Sequence, residues 1–287
     1  MTERQKGLLI MVAGVMALSP DALFIKMSGL PALPMIFWRG LFVGLMLTVG
    51  MALWWRGAFP ARVRAIGWPG ILIAVLYGIT NNCFVAANTH TAAANVLVII
   101  ATTPLISSIA GWIFLRERVA PRTWIASVFA LSGVAMVAGE QISLNAGLGE
   151  LFALICVIGI SLTFVVIRSS RDVNMMPATT LGLYITATPA AFFVQMPATE
   201  VAWFAVLAGG LVFIPLAYIG MTIGPRYLPP GEVGLILLLE TVFGSLWVWL
   251  ILDEAPTQLG FIGGLVILAT LLGHTLVGLK RERRAAA

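Results

Sequence analysis

Residues 96–117, VLVIIATTPLISSIAGWIFLRE, and residues 233–254, VGLILLLETVFGSLWVWLILDE, state one pattern twice. They superpose at a constant offset of 137 without a gap. Val96 falls on Val233, Ile99 on Ile236, Ser108 on Ser245, Trp112 on Trp249, Leu115 on Leu252 and Glu117 on Glu254. Each copy is an apolar run of about 20 residues closed by an acidic residue, the length a helix needs to cross a bilayer. A duplication of this size implies a chain built from two like halves.

Composition excludes a soluble protein. Hydrophobic residues make up 60% of the 287 and charged residues 10%, and the mean hydropathy is +1.01, far from globular averages. The net charge of +5 does not point to nucleic acid, because the basic residues sit between apolar runs instead of clustering on a face. Cys83 and Cys156 lie inside apolar runs without CxxC spacing, so they read as small packed residues and not as a disulfide or metal site. The first apolar run follows Arg4 and Lys6 as a signal peptide would. It is too long, carries Pro20 and Asp21, and lacks a small-residue cleavage site, so it reads as a mature helix.

Runs long enough to span fall at about 7–28, 33–55, 67–88, 93–115, 120–138, 147–168, 177–196, 201–223, 230–252 and 259–279; they are helices 1 to 10. The fold expected is an all-α polytopic membrane protein of ten transmembrane helices. Orientation follows from lysine and arginine in the short loops. With the N-terminus in the cytoplasm, 15 of the 17 basic residues fall inside, leaving Lys26 outside and Arg39 within helix 2. A miscount of one helix would reverse every later loop and destroy the bias. Both termini are therefore expected in the cytoplasm.

Five helices per half is odd, so the second half enters the membrane from the opposite side. The expected organisation is two inverted five-helix repeats, 1–140 and 141–287. Helices 1 and 6 echo each other weakly, with Ser19 on Ser161, Ile25 on Ile167 and Lys26 on Arg168. Inverted repeats are the architecture of alternating-access carriers, whose binding site lies near the midplane between the halves.

With these features in hand, the chain resembles the drug/metabolite transporter superfamily, EamA type, along its whole length. The carriers of the resemblance are FWRGL at 37–41, PLISSIAGWIFLRE at 104–117 and LETVFGSLWVWLILDE at 239–254. The sequence departs from the family pattern at Thr241, where many members have a second proline; a helix 9 straighter than usual is the expectation. Among branches it looks most like YddG-type exporters of aromatic and other neutral amino acids. The resemblance implies a central cavity lined mainly by helices 1, 3, 4, 6, 8 and 9, and outward movement of small metabolites.

Ionisable groups within spans are functional candidates, since charge at the bilayer centre costs several kcal/mol. Glu240 lies about eleven residues into helix 9, roughly 16 Å deep. It could hold a substrate ammonium, exchange a proton with it, or pack as a buried carboxyl against a facing helix. Its repeat mate, Thr103, is uncharged, so the cavity is expected to be asymmetric. Asp21 and Arg39 lie at matching depths on adjacent antiparallel helices, where pairing offsets the burial of both charges. They read as a structural pair first, and as an outer gate or carboxylate contact second.

Polar and aromatic groups near mid-depth are the natural lining of a neutral amino-acid site. They are Tyr77, Asn81 and Asn82 on helix 3, Thr102 and Thr103 on helix 4, Ser161, Thr163 and Phe164 on helix 6, and Tyr218 on helix 8. Each could instead bond only between helices. Pro20, Pro104, Pro189 and Pro215 lie inside spans and favour kinks; Pro104 is the expected bending point for gating. Trp54, Trp55, Trp68 and Trp203 read as interfacial anchors, as do Trp38, Trp112 and Trp249 on balance. His90 is expected in the outer loop between helices 3 and 4, and His274 as a packing residue. Gly40 with Gly44, and Gly260 with Gly264, have GxxxG spacing for close helix contacts within or between chains.

No Walker loop, zinc spacing, Ser-His-Asp order or paired catalytic carboxylates occur, so neither a metal nor a cofactor is expected, and the chain does not read as an enzyme. The expected function is export of small metabolites, aromatic and other neutral amino acids first, driven by the substrate or proton gradient across the cell membrane. Partners are the substrate, membrane lipid and protons, with the protein a monomer or homodimer. Rival readings are a cationic-drug exporter of the same superfamily, a channel, or a lipid-acting enzyme; the last needs a nucleophile, base or metal cluster at one depth, which the sequence lacks.

Overall fold

The computed structural model describes residues 2–139, 147–253 and 255–286; Glu254 lies outside them. Those residues form helices and no strands. Helix 1 is Glu3–Leu18 continued by Asp21–Ser28, helix 2 Ala32–Trp55, helix 3 Gly67–His90, and helix 4 Ala93–Ile100 continued by Thr103–Leu115. Helix 5 is Pro121–Ala138, helix 6 Leu148–Ser169 and helix 7 Met176–Ala190. Helix 8 joins Glu200–Ala208 to Ile214–Ile223, helix 9 joins Pro230–Leu237 to Leu239–Leu252, and helix 10 is Gln258–Ala286.

Nine of these are long and apolar enough to cross a membrane. Helix 7 is the short one at 15 residues, and a 3-10 turn at Ala191–Phe193 extends it. Together they rise about 28 Å, close to the hydrocarbon thickness. His90, expected in a loop, is the last residue of helix 3 and bonds through Nδ1 to the Ala86 carbonyl at 2.9 Å.

The halves enter the membrane from opposite sides. Arg4 at the start of helix 1 bonds Glu232 at the start of helix 9 at 3.0 Å, and lies against Gly278 near the end of helix 10. Glu117, just past helix 4, bonds Arg168 at the end of helix 6 at 3.0 Å. The arginine-rich face thus collects the end of helix 4, the starts of helices 1 and 9, and helix 10 at Gly278. On the opposite face Lys26 lies with Trp249 and Ala255, at the end of helix 9. Glu117 and Asp253 therefore sit at opposite ends of the molecule. Charge bias assigns the arginine face to the cytoplasm.

Small residues set the tightest helix contacts. A Cβ on Gly14 of helix 1 would lie 2.7 Å from Gly220 Cα of helix 8, so the two backbones touch. Gly40 and Gly44 meet Leu183, Tyr184 and Ala187 of helix 7 within the chain. In helix 10 the close approach uses Gly263, which faces the Gly133 carbonyl of helix 5, and not the pair Gly260 and Gly264. Trp38 is buried, donates to the Gln195 carbonyl at 2.8 Å and packs on Phe42 and Trp203. It ties helix 2 to helix 8 and to the segment that joins helices 7 and 8, and is not an interfacial anchor.

Helices 4 and 9 are broken at the same place in the repeat. The turn falls at Ala101 in helix 4 and Leu238 in helix 9, with backbone angles agreeing within a few degrees. The expectation of a straighter helix 9 is thus corrected: the break forms without the proline. In helix 9 the Thr241 amide donates to Leu238, three residues back, a tightened turn of the 3-10 kind. Packing supplies the cause. The inner half of helix 9 is drawn onto helix 4, where a Cβ on Gly234 would lie 2.9 Å from Pro104 Cα. The outer half is drawn to helix 1, where Trp247 Nε1 donates to Ser19 Oγ at 3.0 Å. Pro20 breaks helix 1 near the same level, and Pro215 follows a π-turn at Gly209–Phe213 in helix 8, as expected where proline removes a donor from the ladder.

Candidate functional site

These breaks surround a cavity of about 290 Å³ at mid-depth. Helix 1 presents Leu18, Asp21, Ala22 and Ile25 to it, and helix 3 presents Tyr77, Thr80, Asn81 and Phe84. Both sets follow the i, i+3, i+4, i+7 spacing of one helix face. Cys156, Ile160, Thr163 and Phe164 enter from helix 6, Tyr218 and Met221 from helix 8, and Leu237 and Glu240 from helix 9. Helix 4 contributes Ile100 and helix 2 contributes Arg39.

Arg39 Nη1 donates to Asp21 Oδ2 at 2.6 Å, across the outer ends of helices 1 and 2. The second oxygen, Oδ1, is buried without a hydrogen-bond partner, so the pair is not fully satisfied by protein. Glu240 interacts electrostatically with both members. At a buried site such interactions are far less screened than in water. The tyrosine rings of Tyr77 and Tyr218 meet at 5.8 Å, and the Tyr77 hydroxyl has no hydrogen-bond partner. The chamber therefore offers two carboxylates, one guanidinium, an aromatic wall, and free acceptor and donor atoms within an apolar lining.

Not every candidate reaches it. Asp21, Arg39, Tyr77, Asn81, Thr163, Phe164, Tyr218 and Glu240 line the cavity. Asn82 and Ser161 sit one residue off the lining faces of their helices; Asn82 Nδ2 donates to its own helix at Gly78, 2.8 Å away, and Ser161 is fully buried. Thr102 and Thr103 turn their hydroxyls back onto the carbonyls of Ile99 and Ile100, at 2.6 and 2.5 Å; the second replaces the backbone donor that Pro104 cannot supply to Ile100. Pro104 packs against Gly234 and not against the chamber. Thr80, Phe84, Cys156 and Met221 line the cavity without having stood out in the sequence. Helical spacing from Tyr77 gives the first two, and Cys156 shares its face with Ile160 and Thr163.

Toward the cytoplasm the cavity is sealed. Met11, Val15, Phe164, Leu228, Val233 and Ile236 form one buried apolar cluster beneath it. Below that plug, Glu232 binds Arg4 at 3.0 Å and Arg122 at 3.5 Å, tying helix 9 to helices 1 and 5. Toward the other face a second space of about 590 Å³ runs beside the outer half of helix 9 and shares Ala22 with the cavity. In that half, among the described residues, only Gly244 is buried. The chamber is thus closed inside and loosely packed outside.

The sequence matches the profile of the EamA-like transporter family twice, over residues 5–139 and 147–276. A solved structure described only as "Crystal structure of protein" is similar to this chain, with a TM-score of 0.82 at 20% identity. The likeness covers 96% of this chain and 98% of that one; at such identity it bears on the fold alone. A comparison with curated proteins finds no match.

Proposed function

The chain belongs to the EamA-like transporter family, and from that premise we propose that it exports small zwitterionic metabolites, neutral amino acids with aromatic members among them. The observation that carries this reading is the unfilled Oδ1 of Asp21 beside Arg39 in a chamber walled by Tyr77, Phe84, Phe164 and Tyr218. A carboxylate acceptor suits a substrate ammonium, a guanidinium suits its carboxylate, and the aromatic wall suits an apolar side chain. Transport proceeds by alternating access: the plug and the Glu232 pairs part while the outer half of helix 9 closes over the chamber. Substrate leaves the cytoplasm through the cell membrane, moved by its own gradient or by a proton exchanged at Glu240.

The test is reconstitution of the purified protein in liposomes with labelled phenylalanine, leucine and cationic drugs, with and without a pH gradient. Saturable amino-acid transport with competition among neutral amino acids supports the reading. Transport of the drugs alone favours the second one, export of cationic compounds, which the excess of carboxylates over guanidinium in the chamber supports.

A further inference from the structure

A separate cavity, of about 240 Å³, lies on the cytoplasmic side of the plug, between the end of helix 4 and the starts of helices 5 and 9. It is comparable in size to the central one. Three buried polar atoms of its lining have no hydrogen-bond partner: Ser108 Oγ, Arg122 Nε and Glu117 Oε2. Ser108 is only 2% exposed. Buried polar atoms without partners are rare, and three around one space point to an occupant that completes them.

The chemistry of that occupant follows from the three atoms. Arg122 Nε is a donor and asks for an anionic acceptor, Glu117 Oε2 is an acceptor and asks for a cationic donor, and Ser108 Oγ serves either. Glu117 Oε1 is already engaged by Arg168, and Arg122 Nη2 donates to Glu232. A free phosphate or a carboxylic acid satisfies the arginine and leaves the glutamate unmet; an amine does the reverse. One small molecule bearing both charges satisfies all of them.

We propose that this cavity is a second binding site, on the cytoplasmic face, for a zwitterionic α-amino acid, with the carboxylate on Arg122 and the ammonium on Glu117 and Ser108. The ligand class rests on the function proposed above, whereas the site stands on its own geometry. Its walls, Ser108 and Gly231 among them, belong to the seam of helices 4 and 9 that closes the cytoplasmic side. Cytoplasmic substrate is thus captured against the seam whose parting admits it to the chamber.

The test uses the full chain in nanodiscs, carrying Cys83→Ala and Cys156→Ala, with Ala120→Cys as a reporter at the cavity wall. Labelling by a methanethiosulfonate reagent is timed with L-leucine, acetate, inorganic phosphate or butylamine present. L-leucine at ten times its Kd is expected to slow labelling about tenfold by mass action. Ser108→Ala should weaken that protection severalfold, and Glu240→Gln, which alters the central chamber, should leave it intact. No protection by L-leucine overturns the proposal. So does equal protection by acetate or phosphate, which makes it an anion site, and so does loss of protection in Glu240→Gln, which makes the effect a relay from the central chamber. Protection without transport of L-leucine in liposomes upholds this site and rejects the transport substrate.

Discussion

Gly234→Ala is expected to open the cytoplasmic side. The added Cβ would lie 2.9 Å from Pro104 Cα, 3.0 Å from Pro104 N and 3.0 Å from Ser107 Oγ. Two of these three are backbone atoms that no rotamer change can move. The seam must therefore separate by several tenths of an ångström, and overpacking of this kind costs about 1–3 kcal/mol. That cost falls on the closed arrangement alone, because separated helices have no such contact. A differential cost of this size shifts a two-state equilibrium by about 5- to 150-fold. The readout is Met11→Cys, in the plug below the chamber, in a background of Cys83→Ala and Cys156→Ala. A membrane-impermeant thiol reagent applied from the cytoplasmic side should label it faster by that factor when Gly234→Ala is present. Gly50→Ala is the control, since nothing lies within 4 Å of its added Cβ and alanine is the better helix former. Equal labelling rates for Gly234→Ala and the parent, or the same acceleration in Gly50→Ala, would refute the idea that this contact holds the seam shut.

Three further outcomes follow from named contacts. Asp21→Asn or Arg39→Gln alone strands a buried charge and should lower stability by about 3–5 kcal/mol, whereas the double substitution should recover most of it in denaturation of the purified protein; strictly additive losses would count against the pair. Glu240→Gln should remove the dependence of transport on an imposed pH gradient while the protein keeps its elution profile; an unchanged response would reduce Glu240 to packing. Gly14→Val should fail to accumulate as folded protein, since its side chain would enter the helix 8 backbone at Gly220, and normal yield with normal thermal stability would contradict that contact.

How much of the site could be read in advance depended on what each residue does. Asp21 and Arg39 were legible because two charges at one depth in a membrane have few places to go except each other. Glu240 was legible for the same reason. Thr102 and Thr103 were not, because a hydroxyl near mid-membrane has two uses, lining a chamber or capping its own helix, and the break in helix 4 selected the second. Asn82 and Ser161 each missed the chamber by one position, which on a helix is a rotation of about 100°. Cys156 carried no chemical signal at all; only its place on the face of Ile160 and Thr163 puts it in the wall. The break in helix 9 was hidden because it stems from two packing directions and not from a proline.

The sequence alone determined the number of spans, the opposed entry of the two halves and the side on which the arginines lie. Each is set by the free energy of single residues in lipid or water, which a linear reading can sum. Only the tertiary structure decided which faces meet, where helices 4 and 9 bend, and that the chamber is closed toward the cytoplasm. Those are properties of pairs of residues distant in the chain, fixed by contacts such as Gly14 on Gly220 and Gly234 on Pro104, and close packing leaves no way to know one partner without the other.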